Sequence, residues 1–104
     1  MLPKDTVLEA ALARLERLPP GHALDLRTYK RNRSVLLRKN PDGTVLVLED
    51  GYERQRFEAV SRDKLPKLLK TLLKREFPRS AFVRLYDLGE HDPDAAPAAR
   101  RKVI

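Results

Sequence analysis

The chain has no cysteine and no tryptophan, one methionine, two histidines and four glycines in 104 residues. Without cysteine there is no disulfide, no thiolate metal ligand and no cysteine nucleophile, so stability has to come from packing. Gly21, Gly43, Gly51 and Gly89 all fall at expected turns, in the spacing of neither a phosphate-binding loop nor a dinucleotide fingerprint. His22 and His91 lie far apart, and neither has a second ligand at helical spacing. Ser34, Ser61 and Ser80 stand outside any nucleophile-elbow pattern. No uncharged apolar run approaches a membrane span, and Met1-Leu2-Pro3-Lys4-Asp5 lacks the pattern of a signal peptide. These absences lead to the expectation of a soluble, cytoplasmic protein that is no enzyme, uses no cofactor or metal and takes no small-molecule substrate.

Charge is abundant. Asp, Glu, Lys and Arg make up 36% of the chain, and the formal net charge is +7. The amide and sulfur residues are few, Asn32, Asn40, Gln55 and Met1, a balance like that of proteins from hot-growing organisms. The positive charge is segregated: residues 27–39 carry +6 and residues 62–84 carry +6, whereas residues 40–61 carry −3 and residues 85–99 carry −4. Segregation of this kind suits an anionic partner, and equally a second protein surface of opposite sign.

Periodicity orders the elements. Thr6 with Glu9 has the form of a capping box, and Leu8, Ala11, Leu12, Leu15 and Leu18 repeat at helical spacing, so a helix is expected over 6–18, ending at Pro19-Pro20-Gly21. Strands are expected over 22–30, 34–39, 44–49 and 52–60. Asn40-Pro41-Asp42-Gly43 marks a type I turn, and Asp50-Gly51 reads as a two-residue type I′ hairpin. The segment 44–49 is apolar at both parities, which predicts an interior strand. Leu65, Leu68, Leu69, Leu72, Leu73 and Phe77 form one helical stripe, with Asp63 as N-cap and Pro78 as stop. A fifth strand over 81–88 follows and is expected to cross back beside the fourth. The fold class is therefore α+β, two helices packed on a five-stranded, mostly antiparallel sheet in the order α-β-β-β-β-α-β. Residues 1–88 form a single domain and 89–104 a C-terminal tail.

Three groups of residues suit phosphate. The hairpin Arg27, Tyr29, Lys30, Arg31, Arg33, Arg38 and Lys39 contains no acid from 27 to 39, and its ribbon is suited to tracking a phosphate backbone. Its alternative role is to discourage edge pairing. Strand parity puts Arg27 with Tyr29, Tyr52 with Arg54 and Arg56, and Arg84 with Tyr86, so coincident faces would offer arginines among rings for unpaired bases. Lys67, Lys70 and Lys74 lie opposite the second helix's leucines, as phosphate ligands or as an ordinary solvated face. The leading expectation is non-enzymatic nucleic-acid binding, to RNA before DNA, through the hairpin assisted by the lysine stripe. The alternative is a protein interaction or homodimer in which basic and acidic segments meet.

Overall fold

Alternation along the strands decides which side of the sheet the helices cover. The computed structural model describes residues 2–28, 33–78 and 80–91. In chain order these form β1 (Leu2–Pro3), α1 (Lys4–Arg17), β2 (His22–Arg27), β3 (Ser34–Lys39), β4 (Val45–Asp50), β5 (Arg54–Val60), α2 (Leu65–Glu76) and β6 (Phe82–Glu90). Leu24, Leu26, Val35, Leu37, Val45, Val47 and Val83 turn one sheet face toward Val7, Ala11 and Leu15 of α1 and Leu65, Leu69, Leu72 and Leu73 of α2, with Phe77 just beyond it. Two helices on one face of an antiparallel sheet is an α+β arrangement.

The sheet has six strands where the sequence predicts five, in the order β1-β6-β2-β3-β4-β5 with every pairing antiparallel. The extra strand is β1, in which Leu2 and Pro3 pair with Val83 and Phe82. Two residues give no periodic signal, and proline is tolerated in an edge strand. The last strand also departs from expectation, because β6 lies beside β2 and not beside β5. Burial explains the choice. The four residues Ala23–Leu26 of β2 are all buried, which requires neighbours on both edges, whereas β5 is mostly exposed and carries Arg54, Arg56 and Glu58, as suits an edge. As expected, β4 is interior, between β3 and β5.

Helix entries differ in detail. α1 begins at Lys4, with Pro3 as N-cap and no side-chain cap, and the Thr6 hydroxyl donates to the Pro3 carbonyl at 3.0 Å. The β1 pairing has already fixed the chain direction there, and Lys4 N–H donates to Ala81 O at 2.9 Å, so the capping box is not formed. The N-cap of α2 is Lys64 and not Asp63, since the Ser61 carbonyl accepts the N–H groups of both Lys64 and Leu65. The Asn40–Gly43 turn forms as expected, with Gly43 N–H donating to Asn40 O at 3.0 Å. Asp50-Gly51 does not make a two-residue turn: Asp50 pairs with Arg54, leaving the three-residue loop Gly51-Tyr52-Glu53. Among the described residues, no helix is long and apolar enough to cross a membrane.

Candidate nucleic-acid interface

The strand register brings the predicted arginine and tyrosine parities onto one surface, the sheet face turned away from the helices. One cross-strand row runs Arg84, Arg27, Ser34, Asp50, Arg54; the next runs Tyr86, Asp25, Leu36, Leu48, Arg56. A third joins Ala23, Arg38 and Leu46. Directly opposed residues share a face, so the coincidence follows from the register. Tyr52 is not part of it, because it sits in the β4–β5 loop, and Tyr29, Lys30 and Arg31 lie outside the described residues.

On this face the guanidinium groups are engaged within the chain. Arg27 Nε donates to Asp25 Oδ2 at 2.5 Å, Arg54 meets Asp50 at 3.3 Å and Arg56 meets Glu58 at 2.7 Å. Arg38 Nε donates to the His91 carbonyl at 2.7 Å. Asp25 is buried, and its Oδ1 has no hydrogen-bond partner among the described residues. Burial pushes the Asp25 carboxyl up; the charge and hydrogen bond of Arg27 oppose this without cancelling it, and Asp50 adds to the rise.

Two more hairpin cations serve helix ends. Arg33 Nε donates to the Glu76 carbonyl at 2.6 Å, and its guanidinium lies 4.5 Å from the centre of the Tyr52 ring. Lys39 Nζ donates to the Glu16 carbonyl at 3.1 Å, in the last turn of α1. The last carbonyls of a helix lack intrahelical donors and carry partial negative charge, so a cation there is satisfied locally. Lys4 does the same beyond α2, donating to Phe77 O at 2.6 Å. The described hairpin cations therefore divide between two surfaces: Arg27 and Arg38 lie on the open sheet face, while Arg33 and Lys39 turn to the helix layer.

The lysines of α2 are placed differently. Lys64, Lys67, Lys70 and Lys74 are exposed, opposite the buried Leu65, Leu69, Leu72 and Leu73. None of the four ammonium groups has an ion pair or hydrogen bond among the described residues, and no acid occurs between Lys64 and Arg75. At a rise of about 1.5 Å per residue the row spans roughly 15 Å. Among the described residues, this row of unpaired lysines lies on the helix layer, on the opposite side from the arginine rows.

A cluster of acids lies behind the end of α2, and the basic-residue patterns gave no hint of it. Glu49 and Glu76 are 2% and 0% exposed. Arg75 Nε and Nη2 donate to the two Glu49 oxygens at 2.8 and 2.7 Å. Glu76 Oε1 accepts the Tyr52 N–H at 2.7 Å, and Oε2 accepts the Glu53 N–H at 3.1 Å. A signal was available: Glu49 continues the inward parity of Val45 and Val47, and Glu76 follows Leu69, Leu72 and Leu73 on the buried stripe. Comparison of the chain with protein-family models, curated proteins and solved structures finds no match.

Proposed function

We propose that this chain binds nucleic acid without catalysing a reaction on it, and that the exposed face of α2 binds the phosphates. The observation that carries the reading is the row Lys64, Lys67, Lys70 and Lys74, solvent-exposed and without an acidic partner among the described residues. Exposed ammonium groups lose little hydration when they meet phosphate, and each such pairing releases counterions from the polymer. The arginines of the open sheet face contribute less, because a phosphate there must displace a partner within the chain.

The test is the salt dependence of binding to labelled single-stranded and duplex RNA and DNA, for the wild type and a Lys64→Gln/Lys67→Gln/Lys70→Gln/Lys74→Gln variant. For every phosphate that the variant no longer neutralises, the slope of log K against log salt should shrink by about 0.9 on duplex DNA and about 0.7 on a single strand. An unchanged slope in the folded variant would remove α2 from the interface. Tighter binding to RNA than to DNA of the same sequence is the expected preference.

A second reading, association with a protein or a second copy of this chain, is favoured by the centre of the open sheet face. Leu36 and Leu48 are half-buried there, bordered by arginines and Tyr86, with no lysine in the paired rows. Arginine and tyrosine with few lysines is the residue balance of protein interfaces. Self-association that persists in high salt would point to this face, since phosphate binding is lost there.

A further inference from the structure

α1 and α2 run in opposite directions. Lys4, at the start of α1, donates to the Phe77 carbonyl beyond the end of α2, and Glu16, near the end of α1, pairs with Arg62 just before α2. Between the end of the one helix and the start of the other is a cleft of about 270 Å³. The buried Leu15 and Leu65 form its floor, Leu12, Ala13 and Pro66 its walls, and the half-exposed Arg62–Glu16 pair stands at its mouth. Ligand pockets begin at roughly 300 Å³, so this space suits a single flat ring. Residues four apart on a helix share a face, so Arg17 stands one turn beyond Ala13 and Lys70 one turn beyond Pro66, each about 6 Å along its axis. Because the helices are antiparallel, these two cations lie at opposite ends of the cleft. Both are exposed, without an ion pair or hydrogen bond among the described residues. Lys39 adds a cation at the Arg17 end, on the Glu16 carbonyl. Glu9, one turn before Ala13, turns the other end of α1 against anions and leaves it to the lysines of α2.

We propose that this cleft holds one unpaired base of a single-stranded nucleic acid whose phosphates lie along α2. The proposal rests on the reading of α2 as the phosphate-binding surface and adds to it a seat for the base. Charge at both ends of an apolar space selects the ligand class. An acyl chain carries its charge at one end, whereas a nucleotide within a strand has a phosphate on either side. The Arg62 guanidinium, held by Glu16, offers a flat cationic surface on which a base stacks, and the leucine floor is removed from water beneath the ring. A base inside a duplex is already stacked and reaches the cleft only by flipping out, so unpaired strands and loops are preferred over duplex.

Binding of the full chain to a labelled single strand and to an abasic strand of the same length tests the cleft. The wild type should bind the base-bearing strand about tenfold more tightly, as the stacking of one base requires, with one salt slope for both. Ala13→Leu, which narrows the cleft from an exposed position and changes no charge, should bring the two affinities together and keep that slope. Equal affinity of the wild type for the two strands at an intact salt slope overturns the cleft alone, as does a base preference undiminished in the variant. A wild type that binds neither strand overturns the phosphate reading of α2 as well. The Leu12 and Leu65 methyl resonances of the wild type keep the proposal testable even if the variant fails to fold. Ring currents should shift them with the base-bearing strand and not with the abasic one, and equal shifts overturn the proposal. So does an acidic, leucine-bearing peptide that moves these methyls where the bases do not, since the cleft is then a protein's.

Discussion

Gly51 lies against the carboxyl of Glu76 so closely that a Cβ built on Gly51 would overlap Oε1 and stand 2.9 Å from Cδ. This glycine is required by close approach and not by its backbone angle, since the glycines with positive φ are Gly21, Gly43 and Gly89. Gly51→Ala should destabilise the fold by about 1–3 kcal/mol, the usual range for an overpacked site. In a Glu76→Ala background the obstructing carboxyl is gone, so the cost of Gly51→Ala should fall. Denaturant unfolding of the four proteins of this cycle measures the coupling, and additive effects would mean that the two residues do not meet.

Leu69→Ala should cost about 2–5 kcal/mol, because Leu69 is fully buried between α2 and the sheet. Leu12, which helical spacing placed at the centre of the α1 stripe, is only half-buried, and Val7, Ala11 and Leu15 form that side of the core. Leu12→Ala should therefore cost clearly less than Leu69→Ala, and chemical denaturation ranks the two.

Arg33 separates stability from binding. Arg33→Gln removes a hydrogen bond to a helix-end carbonyl and a cation–π interaction with Tyr52, and should lower stability by about 1–2 kcal/mol. The salt slope of nucleic-acid binding should stay at its wild-type value. A reduced slope with unchanged thermal stability would return Arg33 to the phosphate-binding set.

The ion pairs of the open sheet face should differ in worth. Arg54–Asp50 is exposed at both ends, and Arg54→Leu should change stability by less than about 1 kcal/mol. Arg27 serves a carboxylate whose side chain is only 4% exposed. Arg27→Leu should cost about 2–4 kcal/mol at neutral pH, because the remaining Asp25 must stay charged without its cation or take up a proton. Part of that loss should be recovered as pH falls and Asp25, whose carboxyl burial pushes up, takes up a proton; thermal unfolding at two pH values checks this.

Acid should weaken the fold through Glu49. Its carboxyl is held below the usual range, so the unfolded chain binds the proton first as pH falls. The associated stability is complete above the ordinary glutamate range and lost as pH drops through the lowered value. Glu49→Gln should accordingly be less stable than the wild type at neutral pH, and its stability should fall less steeply with acid. Thermal melts across the acid range compare the two slopes.

Most elements were legible in the sequence because their signal is local, whereas the equally local signals of Asp50-Gly51 and of the Thr6–Glu9 capping box were overridden by strand pairing. The leucine stripe of α2 emerged with the predicted residues on its buried side, and Asn40–Gly43 turned as its residue types dictate. The partners of Arg33 and Lys39 were not legible, because a cation near a helix end in space need not be near it in sequence. Arg33 is 43 residues from Glu76, and Lys39 is 23 from Glu16. Their side chains read as phosphate ligands until the helix ends are seen beside them. Glu49 and Glu76 were legible in part: parity and helical spacing place both inward, but neither pattern shows that Arg75 grips the one and the Tyr52 and Glu53 amides hold the other.

By itself, the sequence determined that this is an α+β chain with its apolar residues on one side of each helix, and that its cations outnumber its acids. Periodicity and charge are properties of neighbouring residues, which is why they survive without a structure. Only the tertiary arrangement decided that β6 lies beside β2, that the arginine rows share one face, and which cations are already engaged. Those outcomes depend on pairing segments far apart along the chain, where burial of β2 on both sides outweighs the shorter path from β5 to β6.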